Sequence, residues 1–191
     1  MLKRVLTYSH ELLQQTVKPG DFVIDATAGN GNDTLMLAKL VGDTGHVLSF
    51  DIQEKAIENT RELLRKHNMN NVSLIKDSHS QLEKYLHGKM YGNIDGAVFN
   101  LGYLPGSNKS IITKPESTIA AIQQLLPHLK EEKLIVLVVY YGHEGGEKEK
   151  EELLQMVKNL DQKRFSVLEY RFMNQQNHPP FLLAIEKRKA R

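Results

Sequence analysis

The stretch that most limits what this chain can become is Asp25-Ala26-Thr27-Ala28-Gly29-Asn30-Gly31-Asn32-Asp33. The apolar run Phe22-Val23-Ile24 leads into it and reads as a short buried strand, and Leu35-Met36-Leu37-Ala38 follows as the start of a helix. Strand, glycine-rich turn and helix in that order bring backbone close to a ligand. Glycine has no side chain in the way and tolerates positive φ, and the following helix presents unpaired N–H groups.

The pattern is not the dinucleotide fingerprint, because Thr34 stands where G-x-G-x-x-G requires its third glycine. Two acids sharpen the reading. Asp25, at the strand end, repels a pyrophosphate and welcomes an ammonium. Asp51 closes the next strand, Val47-Leu48-Ser49-Phe50, about 20 residues beyond Gly31, where a carboxylate grips ribose hydroxyls. A ligand with both an amino-acid ammonium and a ribose fits better than NAD, and S-adenosylmethionine is such a ligand. On these residues the stretch resembles motif I of the class I methyltransferases.

The 191 residues suit one domain spanning 1–191, with enough chain for a core. There is no cysteine, which excludes disulfides, thiolate metal sites and cysteine nucleophiles. No apolar run approaches the roughly 20 residues of a membrane span, and the N-terminus lacks the apolar core of a secretory signal. A cytoplasmic protein that engages no membrane is the expectation. The net charge of +2 neither demands nor forbids a nucleic-acid partner. Oligomeric state, monomer or homodimer, stays open.

Strand and helix patterns alternate along the chain, which predicts a Rossmann-like α/β fold with helices on both faces of a mostly parallel sheet. An N-terminal helix ends near Lys18, and further helices are expected over 33–41, 52–67, around Leu82 to Leu86, from Pro115 or Glu116, and over 147–160. Strands are expected over 21–26, 47–51, 72–75, 94–99, 134–141, 165–172 and 181–186. The gap between the last two is too short for a crossover helix, so they should pair antiparallel or one should insert at an edge. Seven strands, one of them antiparallel, is what the resemblance to the class I methyltransferases implies. Ligands bind such sheets beyond the strand C-termini, and polar and glycine residues concentrate there.

Each such cluster has a structural alternative. Asp25, Gly29, Asn30, Gly31 and Asp33 are candidates to hold the cofactor's methionine end, or else form a plain turn. Asp51 with Gln53 is the candidate ribose clamp. Asp77 and Ser78, with His79 beside them, stand where methyltransferases contact adenine, and also suit a helix cap. Asn100-Leu101-Gly102-Tyr103 lies where amino-group methyltransferases carry Asn/Asp-Pro-Pro-Tyr. It keeps the Asn and the aromatic but replaces both prolines. In that reading Asn100 and the Leu101 carbonyl orient an amine beside the cofactor, Gly102 adjoins them, Tyr103 packs on the substrate base, and Lys109 meets a phosphate. His143, between glycines after the strand over 134–141, is a candidate proton acceptor. Tyr141 and Asn177 are candidate substrate contacts. The histidines form no metal cluster, and no serine-hydrolase, zinc-protease or Walker motif is present.

The whole chain resembles a bacterial family labelled "putative rRNA methylase". The motifs that carry the likeness are Asp25-Ala-Thr-Ala-Gly29-Asn-Gly31, Phe50-Asp51-Ile52-Gln53, Asn100-Leu-Gly-Tyr-Leu-Pro-Gly106, Gly142-His143 and Asn174-Gln-Gln-Asn177. The resemblance implies S-adenosylmethionine-dependent methylation of the 5-aminomethyl group on the wobble uridine of tRNA. It also implies an anticodon stem-loop as partner, held by Lys3, Arg4, Lys109, Lys114 and the basic tail. The alternatives are an rRNA or small-molecule methyltransferase, a non-catalytic nucleotide-binding protein on the same fold, and, third, a dehydrogenase.

Overall fold

Short strands without polar alternation must lie between two covering layers, because both of their faces are apolar. The computed structural model, which describes residues 1–102, 114–142 and 145–190, has this arrangement. Seven strands form one sheet in the order β3-β2-β1-β4-β5-β7-β6. They are β1 (Phe22–Asp25), β2 (His46–Phe50), β3 (Val72–Ile75), β4 (Ile94–Leu101), β5 (Leu129–Val139), β6 (Phe165–Tyr170) and β7 (Phe181–Lys187). The helices are α1 (Val5–Thr16), α2 (Asn32–Val41), α3 (Glu54–Lys66), α4 (Pro115–His128) and α5 (Gly146–Lys158). The chain reverses direction across the sheet between β1 and β4, and β1 pairs in parallel with both β2 and β4.

Strand alternation sends successive side chains to opposite layers. On β5, Ile135, Leu137 and Val139 join the core under α4 and α5, while Val136 and Val138 join the core under α1 and α2. The same parity sends Phe99 and Leu101 of β4 to the α4 side and Val98 to the α1 side, so Asn100 stands on the α1 and α2 side. That assignment decides which residues Asn100 can meet.

Two elements depart from the sequence expectation. The segment marked by Leu82, Tyr85 and Leu86 is not α-helical but 3-10, over His79–Tyr85 and again over Gly88–Met90. The Gln124 side chain from α4 accepts from Glu83 N at 3.0 Å and donates to the Ser80 carbonyl at 2.6 Å, taking two groups that an α-helical ladder would use. Strand β5 begins at Leu129, not 134, across a register shift at Ile94/Gly96 with Glu132 at φ 62°. The last two strands pair antiparallel as expected, with β7 between β5 and β6 and β6 at the edge. Among the described residues, no helix is long and apolar enough to cross a membrane.

Candidate active site

At the C-terminal ends of β1 and β2 the glycine turn folds over the sheet. Gly31 takes φ 82°, and a Cβ there would stand 2.9 Å from Thr60 Cα of α3, so both conformation and close approach require glycine. The turn is tied to the next strand by Asp51, whose Oδ2 accepts from Gly29 N at 3.0 Å and whose Oδ1 accepts from Gln53 N at 2.9 Å. Each oxygen keeps acceptor capacity, which is what a ribose clamp needs. Asn30 lies at the exposed tip, its Oδ1 accepting from the Asn59 amide at 3.1 Å.

Asp25 sits deeper than expected for a direct ammonium contact. It is 0% exposed, with Thr27 N donating to Oδ1 at 3.1 Å and the Thr34 hydroxyl to Oδ2 at 2.6 Å. Thr34 in turn meets the Ser49 hydroxyl at 2.8 Å, which closes a polar knot beneath the α2 N-terminus. Burial first, then the charge of Asp33, raises the Asp25 pKa to about 7, with a smaller push from Asp51.

Asp33, in the first turn of α2, spends its carboxylate on two protein partners. His10 of α1 lies 2.7 Å from Oδ1, and the Asn100 amide nitrogen donates to Oδ2 at 3.2 Å. The Asn100 backbone N–H donates to the Thr27 hydroxyl at 2.7 Å. The hydrogen bond from Asp33 raises the pKa of His10 against the opposing effect of its partial burial. Tyr140, just past β5, feels the same carboxylate, and its pKa is raised by burial and then by Asp33.

Leu101 continues β4 as a strand residue. Its side chain is 0% exposed, and its carbonyl accepts from Tyr140 N at 3.1 Å, so the carbonyl expected to orient an amine is already engaged in the sheet. Gly102 follows at φ 151°, with Tyr140 beside it. Asp77 anchors the 3-10 segment, accepting from the Tyr85 hydroxyl at 2.8 Å and from Ser78 N at 2.7 Å, while Ser78 caps it by accepting from Ser80 N at 3.2 Å. The cap alternative therefore describes Ser78 as the structure stands. His79 is buried against Phe99, ring centroids 5.6 Å apart. Its Nδ1–H donates to the Ala26 carbonyl at 2.9 Å, and burial lowers its pKa, so the ring is neutral and Nε2 is an acceptor. That Nε2 is buried with no hydrogen-bond partner among the described residues.

On the other side of β4, Tyr141 packs edge-on against His178 at 5.4 Å and Phe181 at 5.8 Å, with the Lys150 ammonium 4.5 Å from its ring centre. Asn177 and His178 are consecutive non-glycine residues at positive φ, 63° and 52°, a costly conformation that concentrates at functional loops. Tyr103, Lys109 and His143 lie outside the described residues. His10, Thr34, Tyr140 and His178 are the site-forming residues that sequence reasoning passed over. Local spacing flags none of them, since each enters through a tertiary contact. No group of three or more candidate metal ligands occurs among the described residues.

Known proteins share this fold. Residues 47–186 match the family model described as "Putative rRNA methylase", and residues 3–81 match that of protein-L-isoaspartate(D-aspartate) O-methyltransferase. The chain is 41% identical over 158 residues to an Arabidopsis thaliana chloroplastic tRNA (mnm5s2U34)-methyltransferase, covering 78% of this chain but only 57% of the plant protein. The crystal structure of a "putative rRNA-methylase" from Clostridium thermocellum superposes with a TM-score of 0.94 at 46% identity, over 98% of this chain and 99% of that one. A methyltransferase structure from Streptococcus mutans, solved in complex with SAH, superposes at 0.89 with 44% identity over 98% and 99% of the two chains.

Proposed function

The chain belongs to the "Putative rRNA methylase" family, and from that membership we propose that it is an S-adenosylmethionine-dependent N-methyltransferase of tRNA. Its target is the 5-aminomethyl group of the wobble 2-thiouridine, and its product is 5-methylaminomethyl-2-thiouridine. The substrate is chosen on the likeness to the plant enzyme, whose full length this chain spans only in part.

The observation that carries the reading is the acid- and acceptor-rich cradle at the switch point. The charges of Asp33 and Asp51 both act on buried Asp25. Asp51 holds the glycine turn with acceptor capacity to spare. His79 Nε2 adds a buried acceptor without a partner among the described residues. A ligand that is cationic at a sulfonium and an ammonium and carries a ribose fits this donor set, and S-adenosylmethionine has all three features.

When bound, it supplies an electrophilic methyl group that a neutral amine takes by in-line displacement. Asp51 accepts ribose hydroxyls, and Asp25 and Asp33 supply a negative field beneath the turn. Asn100 stands near the end of β4 beside that field, and in the reading from the sequence the stretch after it delivers the amine. An aminomethyl group is an ammonium in water and has no lone pair, so the site must favour its neutral form. Burial and a neighbouring positive charge both do so. Tyr103 packing on the uracil, Lys109 on a phosphate and His143 taking the proton complete the reading from the sequence, with Tyr141 and Asn177 flanking the base.

The test combines the purified protein, S-adenosylmethionine and tRNA carrying 5-aminomethyl-2-thiouridine, with nucleoside mass spectrometry as readout. Conversion of that nucleoside to its N-methyl product, with unmodified tRNA and rRNA left untouched, is the expected result. Methylation of rRNA alone, or of nothing, overturns the proposal.

A further inference from the structure

The side-chain amide of Asn100 has two faces of opposite polarity, and the fold decides which one the substrate meets. Its parity on β4 turns it toward α1 and α2, where the Asp33 carboxylate lies 3.2 Å from its Nδ2. A carboxylate only accepts, so it selects the NH2 end of the amide. The oxygen is left on the opposite side of the trigonal carbon, away from Asp33. The other Asp33 oxygen is held by His10 Nε2 at 2.7 Å, reaching across from α1. Helix α1 contributes nothing else to the cradle among the described contacts, yet it sends this one polar side chain into it.

We propose that His10 and Asp33 are a positioning pair that fixes the Asn100 amide with its oxygen toward the substrate, so that the site accepts a nucleophile bearing N–H hydrogens. This rests on the reading above that an amine is methylated, and adds what sets the site's polarity. A carboxylate held on both oxygens keeps its plane, and through it the amide plane. An amide free to rotate offers its NH2 half the time, and that end opposes an amine's hydrogens. His10 acts only through Asp33 and Asn100.

Two further titratable groups face the pair among the described residues: Asp25 from β1 and Tyr140 from the end of β5, with Asp51 beyond Asp25. The raised pKa of His10 supports the pairing.

The experiment has two arms. The first follows the His10 ring and the Asn100 side-chain NH2 by NMR through a pH titration of the cofactor-free protein. In the wild type the Asn100 NH2 signals should move at the His10 midpoint, and in Asp33→Asn that midpoint should fall and the coupling vanish. The second measures kcat and KM for the aminomethylated tRNA, and the Kd for SAH. His10→Ala should lower kcat about tenfold, the size of one hydrogen bond. His10→Gln, whose amide can donate to the same oxygen, should recover most of it. Asp33→Asn should lower kcat about a hundredfold, because an amide at 33 can also pair with the Asn100 oxygen and reverse the polarity. SAH affinity should stay within about twofold in His10→Ala and His10→Gln. An Asn100 signal indifferent to His10, wild-type kcat in His10→Ala, or equal loss of kcat and SAH affinity in His10→Ala and His10→Gln would each overturn the pair. A wild type that methylates no amine overturns the functional reading instead, and the NMR arm then decides the pair by itself.

Discussion

At the scale of single residues, the cradle is built from carboxylates that the fold holds at different depths. Asp51 is half-buried and bonds to the backbone, so Asp51→Ala should loosen both the glycine turn and the ribose clamp. Losing hydrogen bonds to a charged acceptor costs about 1.5–3 kcal/mol, which isothermal titration should read as a roughly ten- to hundredfold weaker Kd for SAH. An unchanged Kd would remove Asp51 from the clamp. Asp25 is fully buried, and its pKa of about 7 lies above its ordinary 3.8. Ionising it therefore costs more in the folded than in the unfolded chain. That cost is absent at low pH, grows as pH rises from about 4 to about 7 and is constant above. His10, with a raised pKa, also loses stabilisation as pH rises, so the comparison must be with Asp25→Asn. The melting temperature of Asp25→Asn should fall less than that of the wild type between pH 5 and pH 8. A cationic ligand favours the ionised carboxylate, so S-adenosylmethionine binding at pH 7 should release a fraction of a proton. Calorimetry in buffers of different ionisation enthalpy measures this, and equal heats in all buffers would remove Asp25 from the ligand's field.

At the scale of elements, the length of β4 explains the missing prolines. Strand pairing runs through Leu101 opposite Val139, and the Leu101 side chain lies in the core under α4. Proline there would remove a strand amide and a buried leucine. Leu101→Pro should therefore destabilise the protein by on the order of 3 kcal/mol, measured as a lowered urea midpoint, and an unchanged midpoint would mean that β4 ends earlier. The strand positions themselves were legible: Val72–Ile75 was read to the residue, because a short apolar run bounded by polar residues leaves little choice. The 3-10 segment was not legible. Leu82, Tyr85 and Leu86 have helical spacing, and only the Gln124 side chain from α4 breaks the ladder. Nor was the start of β5. Lys130 and Lys133 look like a charged turn until their ammonium groups are seen 2.8 and 3.5 Å from buried Asp95.

At the scale of the whole molecule, the sheet has a working edge and a far edge, and charge divides between them. Because β7 runs antiparallel to β5, the chain leaves the sheet beside Leu134, at the end away from the cradle. The tail is also engaged there. Lys187 donates to the Leu129 carbonyl at 2.6 Å, and Arg188 to the Gln162 carbonyl at 3.0 Å. Arg4 just before α1 and Lys114 just before α4 stand instead at the ends of helices that start on the working edge. Replacing Arg4 and Lys114 together with alanine should weaken tRNA binding and flatten its salt dependence, since each lost phosphate contact lowers the slope by about one. Replacing Arg188 and Lys189 should change neither. Filter binding across a salt series distinguishes the two, and a loss confined to the tail variant would place the RNA on the far edge.

The order of the elements, the mostly parallel sheet and the glycine turn flanked by Asp25 and Asp51 were determined by the sequence alone, because hydrophobic period and turn chemistry act over a few neighbouring residues. Tertiary structure alone decided that β7 sits between β5 and β6, that Asp25 is sealed beneath Thr27 and Thr34, and that His10, Asp33 and Asn100 meet. Asn100 lies 67 residues from Asp33, and His10 lies 23 residues before it. Their encounter depends on strand parity combined with the docking of two helices on one face, and no window of sequence contains both.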